Sequence, residues 1–472
     1  MAYVGYVTVL KNVRKHSNAD RLQVGECFGN QVIVSLDYKE GQMGVYFPVD
    51  GQLSERFCQV NDLVRRKDEN GNACGGYLDP DKRNIKALRL RGEQSDGLFM
   101  PLTCLADFTK ISDLKEGDTI SVLNGEEICR KYIPRRNVAR TSGKSKSGKA
   151  KANFAPTFYE HIDTAQLAYN LGQFKAGDIV ELTLKMHGTS GRTGYLPLRK
   201  WKKSWLDKLL KRQGKEYREY GYVTGTRRVV LDDTHTGGFY SDNEFRHVMA
   251  DKFEGKLHKG EVVYYEIVGF VNENTPIMGS VKNSKISDKA FTKQYGPETV
   301  WSYGCDPHGG WVETSVAPDE FNGDSEVRAP KCEVYVYRMT QVNEDGDVVE
   351  LSPDQVRMRC EQMGVKTVPV FERFIIPKTR LETQCHEDGS ENLFNVDVDP
   401  GEYVLRKVEE YFDGPDPIGK THVREGVVAR IVNRPNIAVY KHKNFSFKVL
   451  EGIAKDEAVA PDMEEAQEET AE

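Results

Sequence analysis

The sequence lacks any long apolar run. Its mean hydropathy is -0.59, and charged residues make up 29% of its 472 positions. No stretch approaches the roughly 18 consecutive apolar residues that a membrane-spanning helix needs. The opening residues, MAYVGYVTVLKNVRKH, do not follow the charged-then-apolar order of a secretion signal. We therefore expect a cytoplasmic protein with no membrane partner.

Cysteine and phosphate-loop patterns are also missing. The nine cysteines are scattered and never form CxxC, which argues against a disulfide framework and a zinc ribbon. Cys305 and His308 have metal-like spacing, but no second pair repeats it. Residues 143–149 match GxxxxGK, yet Ala150 replaces the Ser or Thr that ligates magnesium, and no apolar strand precedes the match. We therefore expect neither a zinc site nor a P-loop.

The formal net charge of -6 conceals two opposed segments. Residues 456–472 hold eight acids and no base, whereas residues 130–151 hold nine bases and no acid. The overall charge therefore does not argue against a nucleic-acid partner. We expect a basic flexible linker over 130–155, either a phosphate-contacting tether or a solvated spacer. We expect a disordered acidic tail over 455–472, which either aids solubility or competes for the linker.

A chain of this length predicts two or three domains. Residues 1–129 contain short β-branched runs separated by turn residues, which predicts a small all-β module. Residues 156–454 predict an α+β domain, with antiparallel sheets and flanking helices near 163–172, 353–363 and 402–412. Two insertions are expected, a basic amphipathic helix near 198–219 and a surface excursion over 271–330. The helix would contact nucleic acid or a partner, unless its apolar stripe is ordinary packing.

The chemically informative segment is Lys185-Met186-His187-Gly188-Thr189-Ser190, at the end of a predicted strand. A lysine before a glycine-bearing turn places its amine where a phosphate can approach the backbone closely. KxxG alone occurs often by chance, so the order of the later pieces matters. These pieces are Thr226-Arg227-Arg228, Glu266, Tyr335, Tyr337, Glu425, Lys441 and Lys443.

This ordered series resembles the covalent nucleotidyltransferases, specifically the nick-sealing RNA ligases that begin with KxHGT and carry an N-terminal OB-type domain. DNA ligases and capping enzymes usually have KxDG, so His187 favours the RNA-ligase branch. The resemblance extends to residue 452, outside the linker, the insertions and the tail. It implies an OB-like β-barrel over 1–129 that binds nucleic acid, and a nucleotidyltransferase (ligase adenylylation) domain over 156–454.

The resemblance also implies a role for each matching residue. Lys185 would attack the α-phosphate of ATP, and nearby positive charge would favour its neutral amine. Lys441 and Lys443 would supply that charge and neutralise the triphosphate, and Glu425 would hold Mg²⁺ or Mn²⁺. The nucleotide contacts would be His187, Gly188, a ribose acceptor at Glu266, and Tyr335 or Tyr337 as the adenine platform; the strand contacts would be Arg192, Arg227 and Arg228.

One position departs from the family pattern. Several relatives have an acidic residue directly before the lysine to read adenine, whereas this chain has Leu184; Glu181 or backbone carbonyls would have to replace it. The implied function is an ATP-dependent, monomeric RNA-repair ligase acting on a nicked or bridged duplex with an RNA 3′-OH strand. The alternatives are an inactive nucleic-acid-binding homologue, a DNA ligase and a GTP-using capping-type enzyme.

Overall fold

The computed structural model describes residues 3–134, 154–210, 214–231, 244–315, 327–385 and 391–457. The chain divides into two compact units. The first unit contains residues 1–135, 281–298 and 443–458, and the second contains residues 136–280, 299–442 and 459–472. The first unit therefore takes two segments from the stretch assigned above to the catalytic domain. Most of the expected linker, residues 135–153, lies outside the described residues.

Short antiparallel strands build the N-terminal part of the first unit. They are β1 (Gly5–Val9), β2 (Lys11–Lys15), β3 (Leu22–Cys27), β4 (Asn30–Ser35), β5 (Met43–Phe47), β6 (Gly51–Leu53), β7 (Arg65–Lys67), β8 (Ala73–Gly75), β9 (Ala87–Leu90), β10 (Glu93–Asp96), β11 (Leu98–Pro101), β12 (Thr119–Ile120), β13 (Val122–Leu123), β14 (Glu126–Glu127) and β15 (Cys129–Lys131).

These strands pair as a four-stranded sheet in the order β11-β5-β1-β12, a three-stranded sheet β2-β3-β4, and several two-stranded ribbons. Their inward side chains, including Val7, Val45 and Phe47, form an apolar core. The described part of this segment is mainly β, as expected, but it also contains a short helix at Glu55–Val60. Within residues 3–134, however, the sheets do not join into one closed barrel, so the OB-like barrel itself is not shown.

The later strands lie mainly in the second unit. They are β16 (Ala165–Gln166), β17 (Ile179–Lys185), β18 (Thr189–Lys202), β19 (Lys215–Gly225), β20 (Val230–Leu231), β21 (Glu261–Asn272), β22 (Thr275–Pro276), β23 (Val281–Lys282), β24 (Glu298–Thr299), β25 (Thr314–Ser315), β26 (Val327–Arg328), β27 (Cys332–Val342), β28 (Val348–Glu350), β29 (Lys366–Thr367), β30 (Val370–Ile375), β31 (Thr379–Cys385), β32 (Glu391–Asp397), β33 (Gly426–Ile431) and β34 (Ala438–Lys443).

Two large sheets dominate the second unit. One has the order β16-β34-β33-β17-β30, and the other has the order β20-β19-β18-β21-β27-β28, with β22 and β29 alongside. Most neighbours are antiparallel, as predicted for an α+β domain. Lys185 ends β17 directly opposite Gly426 of β33. Three residues separate the end of β17 from the start of β18. The chain thus passes from one sheet to the other within the Lys185–Ser190 motif.

The helices are α1 (Glu55–Val60), α2 (Trp205–Leu209), α3 (Glu244–Asp251), α4 (Lys289–Tyr295), α5 (Pro353–Met363), α6 (Pro400–Glu409) and α7 (Phe445–Asp456). Helix α5 confirms the helix predicted near 353–363; it begins with a capping box of Ser352 and Gln355 and ends at Gly364 with φ of 67°. Helix α6 confirms the third predicted helix. Among the described residues, none of the helices has both the length and the apolar character of a membrane span.

Four local predictions are wrong. Residues 165–173 form β16 and two 3₁₀ turns instead of an α-helix. In place of one amphipathic helix, the described part of 198–219 contains paired segments of β18 and β19 and the short α2; residues 211–213 lie outside the described residues. The 271–330 stretch is not purely a surface excursion, because Trp301 is 1% exposed. The expected tail overlaps α7, whose Asp456 pairs with Lys82 at 3.1 Å; residues 458–472 lie outside the described residues.

Candidate active site

Lys185 and Glu425 form the centre of the site. The Lys185 Nζ lies 2.7 Å from Glu425 Oε1, and the Glu425 side chain is only 2% exposed. Glu425 directly precedes β33, whose first residue pairs with Lys185, so the ladder between β17 and β33 brings the two side chains together. The predicted nucleophile and the predicted metal ligand, 240 positions apart in the chain, are therefore adjacent in the fold.

His187 is held from three sides. Its backbone N–H donates to the Tyr303 hydroxyl at 2.7 Å, and its ring meets Trp301 edge-on at 4.7 Å between centroids. Its Nδ1 lies 3.8 Å from Glu425 Oε2. Trp301 and Tyr303 are both buried and come from the stretch that the sequence predicted to be a surface excursion. They position His187 beside the carboxylate.

Gly188 allows the motif to pack against the neighbouring sheet. A Cβ at this position would lie 2.3 Å from the Ile267 carbonyl oxygen and 2.8 Å from Glu266 Cγ. Only a residue without a side chain permits this approach of two backbones. Gly188 therefore brings the motif directly beside Glu266.

Glu266 faces the motif through β18. It pairs with Ser190 across β18 and β21, and the Ser190 hydroxyl donates to Glu266 Oε2 at 3.3 Å. Arg246, which is buried on α3, donates to the Thr189 hydroxyl at 2.7 Å and to the Ser190 carbonyl at 3.2 Å. Arg246 thus fixes the strand that carries Ser190. The sequence offered no spacing pattern that singles out this arginine.

The two candidate tyrosines on β27 have different surroundings. Burial, followed by the Glu266 carboxylate, raises the pKa of Tyr337, and Ser190 interacts with its hydroxyl. Tyr335 is 5% exposed, and burial, followed by the charges of Cys305 and Glu333, raises its pKa. Tyr337 therefore shares its environment with the motif, whereas Tyr335 is mainly a core residue.

His161 also lies at the site, beside Tyr337, and the sequence had not pointed to it. Its ring packs edge-on against Tyr337 at 5.0 Å and lies 5.7 Å from Tyr264. Arg338 Nη1 lies 3.4 Å from His161 Nδ1, and Glu350 holds the Arg338 guanidinium through contacts of 2.9 Å and 3.0 Å. Because a guanidinium has only donors, Nδ1 accepts and the proton of the neutral ring sits on Nε2.

The charge around His161 comes from the predicted site residues. Burial, then Arg338, Arg227, Lys185 and Lys441, lowers the pKa of His161 to about 3. Lys185 of β17 and Lys441 of β34 therefore both act on this imidazole, and their strands belong to the same sheet. Lys441 is placed there by β34, which pairs with β16 at Gln166.

Arg227 forms an ion pair with Asp163. The sequence predicted a helix near 163–172, but no α-helix forms there and the Asp163 carboxylate holds Arg227. Arg228 contributes its carbonyl oxygen to another arginine, Arg192. Asp163 is thus tied to Arg227, and Arg228 is tied to Arg192, so all three arginines predicted to contact the nucleic-acid strand have partners within the second unit.

Arg192 has a different place from the one expected. It is 1% exposed, and it donates to the carbonyls of Thr226 at 2.9 Å, Phe158 at 3.0 Å and Arg228 at 3.0 Å. Its guanidinium also stacks on the Phe158 ring at 4.3 Å. These contacts brace the turn that carries Arg227, and they do not support the expected phosphate contact of Arg192.

Two further expectations are changed by the contacts in the structure. Lys443 lies in the first unit, where its ammonium donates to both Glu451 carboxylate oxygens at 2.9 Å and 2.8 Å. Glu181, a candidate for reading adenine, is buried and pairs with Arg357 at 3.0 Å and Arg373 at 2.6 Å. Both residues thus have structural partners already.

The donor set around Lys185 suits a hard divalent cation held largely by a substrate. Within the described ranges, the side chains of His, Cys, Asp and Glu form no group of three that could cage a metal. Mg²⁺ keeps several waters and binds through one or two carboxylates plus phosphates. Glu425, next to the cationic region of Lys185 and Lys441, fits a metal that arrives with a polyphosphate.

Comparison with solved structures identifies the fold. Naegleria gruberi RNA ligase with PPi is 14% identical, with a TM-score of 0.50 over 94% of this chain and 97% of that chain. A mutant of the same ligase with AMP and Mn is 15% identical, with a TM-score of 0.53 over 96% of this chain and 99% of that chain. At this identity the similarity establishes the fold alone.

Comparison with sequences identifies the family. The search of curated proteins found no match. The family model described as RNA ligase matches residues 178–450, which is more than half of the chain and includes every motif residue from Lys185 to Lys443. This chain belongs to the RNA ligase family.

Proposed function

We propose that this protein is an ATP-dependent RNA ligase that seals nicks or bridged breaks in a duplex through a lysyl-AMP intermediate. The contact between Lys185 Nζ and the buried Glu425 carboxylate at 2.7 Å carries the proposal. It places the Lys185 amine at a strand end, beside the Glu425 carboxylate and on the same sheet as Lys441. This combination suits nucleophilic attack on a metal-bound triphosphate.

The first step would charge the enzyme. The neutral Lys185 amine attacks the α-phosphorus of ATP, an N–P bond forms as the P–O bond to pyrophosphate breaks, and the nitrogen gives up one proton to solvent and keeps its other hydrogen. Glu425 holds the ammonium in the structure, so binding of a cation at this carboxylate would displace the ammonium and favour the neutral amine. The metal would supply charge stabilisation at the phosphates. Lys441 would neutralise the departing pyrophosphate.

Nucleotide recognition would use the second sheet. Glu266 would accept from a ribose hydroxyl, and Tyr337, which shares its surroundings with Glu266, would be the adenine platform. His161 adds an Nε2–H donor beside this tyrosine. Because the acidic residue is missing before Lys185 and Glu181 is tied up in salt bridges, backbone carbonyls and His161 are the remaining candidates for reading the base.

The later steps would act on the nucleic acid. AMP passes from Lys185 to a 5′-phosphate, breaking the N–P bond and forming a pyrophosphate linkage. The 3′-hydroxyl of the adjoining strand then attacks that phosphate and releases AMP. Arg227, held by Asp163, would contact the reacting strand. The N-terminal part of the first unit, with an OB-like role, would hold the duplex.

A sealing assay tests this proposal. A labelled duplex with a 5′-phosphate nick is incubated with ATP and Mg²⁺, and the product is resolved on a denaturing gel. We expect sealing by the wild type and none by Lys185→Ala, with faster sealing when the 3′-hydroxyl strand is RNA rather than DNA. Failure of the wild type to seal either nick contradicts ligase activity, and equal rates contradict the RNA preference.

A further inference from the structure

The hairpin of β18 and β19 extends beyond the sheet that carries the site. β21 pairs with β18 from Thr189 to Gly194, whereas β19 pairs with it from Arg192 to Lys202. We call residues 198–210 and 214–219 the hairpin arm. From Ser190 to Lys202 the strand is continuous for twelve residue steps, which at about 3.3 Å per residue is about 40 Å. The arm therefore extends far from Glu266 and the motif.

The arm is strongly basic. Residues 198–219 contain nine bases and three acids, in a chain whose net charge is -6. Lys202 lies directly opposite Lys215, and Arg199 lies directly opposite Arg218. Like charges that face each other across a ribbon destabilise it. A ribbon with two such pairs has a stability cost that an anionic partner would offset.

Local acids neutralise only part of this charge. Glu219 pairs with Lys200 at 2.7 Å, and Glu216 pairs with Arg199 at 3.3 Å. Among the described residues, neither Lys202 nor Lys215 has a carboxylate within ion-pair distance. Successive side chains of a strand alternate between faces, so Lys200, Lys202, Lys215 and Tyr217 share one face. This lysine pair remains available to an external anion.

The tip exposes large apolar side chains. Trp205 is 73% exposed and Leu209 is 71% exposed, and Tyr217 on the lysine face is exposed as well. Exposed apolar groups among cations mark contact surfaces. Single-stranded and flexible nucleic acids are bound by cationic surfaces that track the backbone and by aromatic rings that stack on bases. The arm contains both components on adjacent residues.

We propose that the hairpin arm binds the phosphate backbone of the RNA substrate about 40 Å from the reacting ends. Lys202 and Lys215 contact phosphates, and the exposed Trp205 indole packs against the sugar–phosphate backbone beside them. The choice of RNA as the polyanion rests on the proposed function. At the B-form rise of about 3.4 Å per base pair, 40 Å spans about 12 base pairs; the shorter rise of A-form RNA places the contact at no fewer than about 12 base pairs from the nick. It is independent of sequence because phosphates carry no sequence information.

Charge reversal on the full-length protein tests this proposal. The variant is K202E/K215E, and the matched control is K175E/K378E, which changes charge equally at two exposed lysines elsewhere in the second unit. Affinity for a labelled nicked RNA duplex is measured over a salt series, with thermal unfolding as the folding control. We expect at least tenfold weaker binding by K202E/K215E and a salt slope smaller by about 2. The control should bind like the wild type.

Varying the length of the duplex distinguishes binding by the hairpin arm from binding by the active site. The difference in RNA affinity between K202E/K215E and wild type should disappear on a duplex that extends less than about 12 base pairs on either side of the nick. Trp205→Ala should weaken binding to the longer duplex without changing the salt slope. Unchanged affinity and slope in K202E/K215E, or an equal loss on short and long duplexes, would overturn the proposal.

Two further measurements identify other outcomes. In the first, wild type and K202E/K215E are tested for binding to phosphatidylserine vesicles. If only the wild type binds them and both proteins have equal RNA affinity, the arm is a lipid contact. That result overturns the RNA proposal. Self-adenylylation requires no RNA, so K202E/K215E should retain the wild-type rate. Absence of adenylylation in the wild type contradicts the proposed function, whereas wild-type RNA affinity in the variant contradicts only the role of the arm.

Discussion

Gly188→Ala tests how closely the lysine motif must pack against the second sheet. The added Cβ would lie 2.3 Å from the Ile267 carbonyl oxygen. Ordinary contact requires about 1 Å more, and relieving such an overlap costs about 1–3 kcal/mol in unfolding free energy. The same displacement would move Lys185 away from Glu266, and a 1 Å misplacement costs on the order of 100-fold in rate. We therefore expect both lower stability and much slower self-adenylylation.

Gly172→Ala is the matched control for this change. Nothing lies within 4 Å of a Cβ built at Gly172, and its φ is not in the left-handed region. We expect it to be neutral or to stabilise by about 0.4–1 kcal/mol. Urea denaturation measures the free energy of unfolding, and transfer of labelled AMP measures the rate. If Gly188→Ala behaves like Gly172→Ala in both assays, the close packing of the motif is not required and this reasoning is refuted.

Three other predictions follow from the contacts of predicted and newly found residues. Lys443→Ala should lower the free energy of unfolding by about 1–3 kcal/mol in urea denaturation, because it leaves the buried Glu451 with fewer donors. Lys441→Ala should instead slow self-adenylylation and leave the free energy of unfolding unchanged. Arg192→Ala should cost about 3–5 kcal/mol, and Arg192→Lys should not rescue it, because one ammonium cannot reach three carbonyls. Burial holds the pKa of His161 at about 3, below its usual value of 6.5. The unfolded chain then binds the extra proton, so stability should fall as pH drops from 6.5 towards 3, and His161→Gln should flatten this dependence in urea titrations. Stability curves that coincide between variant and wild type would contradict the corresponding contact.

The order of the motifs singled out Lys185 and Glu425, and the structure brings these two side chains together. Lys185 and Glu425 meet because both lie where neighbouring strands begin or end, and strand pairing is well specified by alternating apolar patterns. The same patterns predicted antiparallel sheets and the capped helix α5. The ambiguity between Tyr335 and Tyr337 was real, since both lie on one strand two residues apart. Only the surroundings of each ring distinguish them.

The remaining features depend on tertiary contacts. Trp301 and Tyr303 lie in a polar, glycine-rich stretch, whose scattered apolar residues, such as Ile277 and Phe291, are buried as well. His161 lacks any motif spacing, because its role comes from Arg338 and Tyr337 on a distant strand. The 198–219 stretch has apolar residues at helical spacing, but pairing with β19 overrides that local preference.

Covalent labelling tests directly whether Lys185 is the residue that takes AMP from ATP. The full-length protein is incubated with ATP labelled in the α-phosphate and Mg²⁺, denatured, digested and mapped by peptide mass spectrometry. We predict one AMP adduct, on the peptide that contains Lys185, and no adduct in Lys185→Ala. An adduct on another residue, or label retained by Lys185→Ala, would contradict the assignment of the nucleophile and the account built on it.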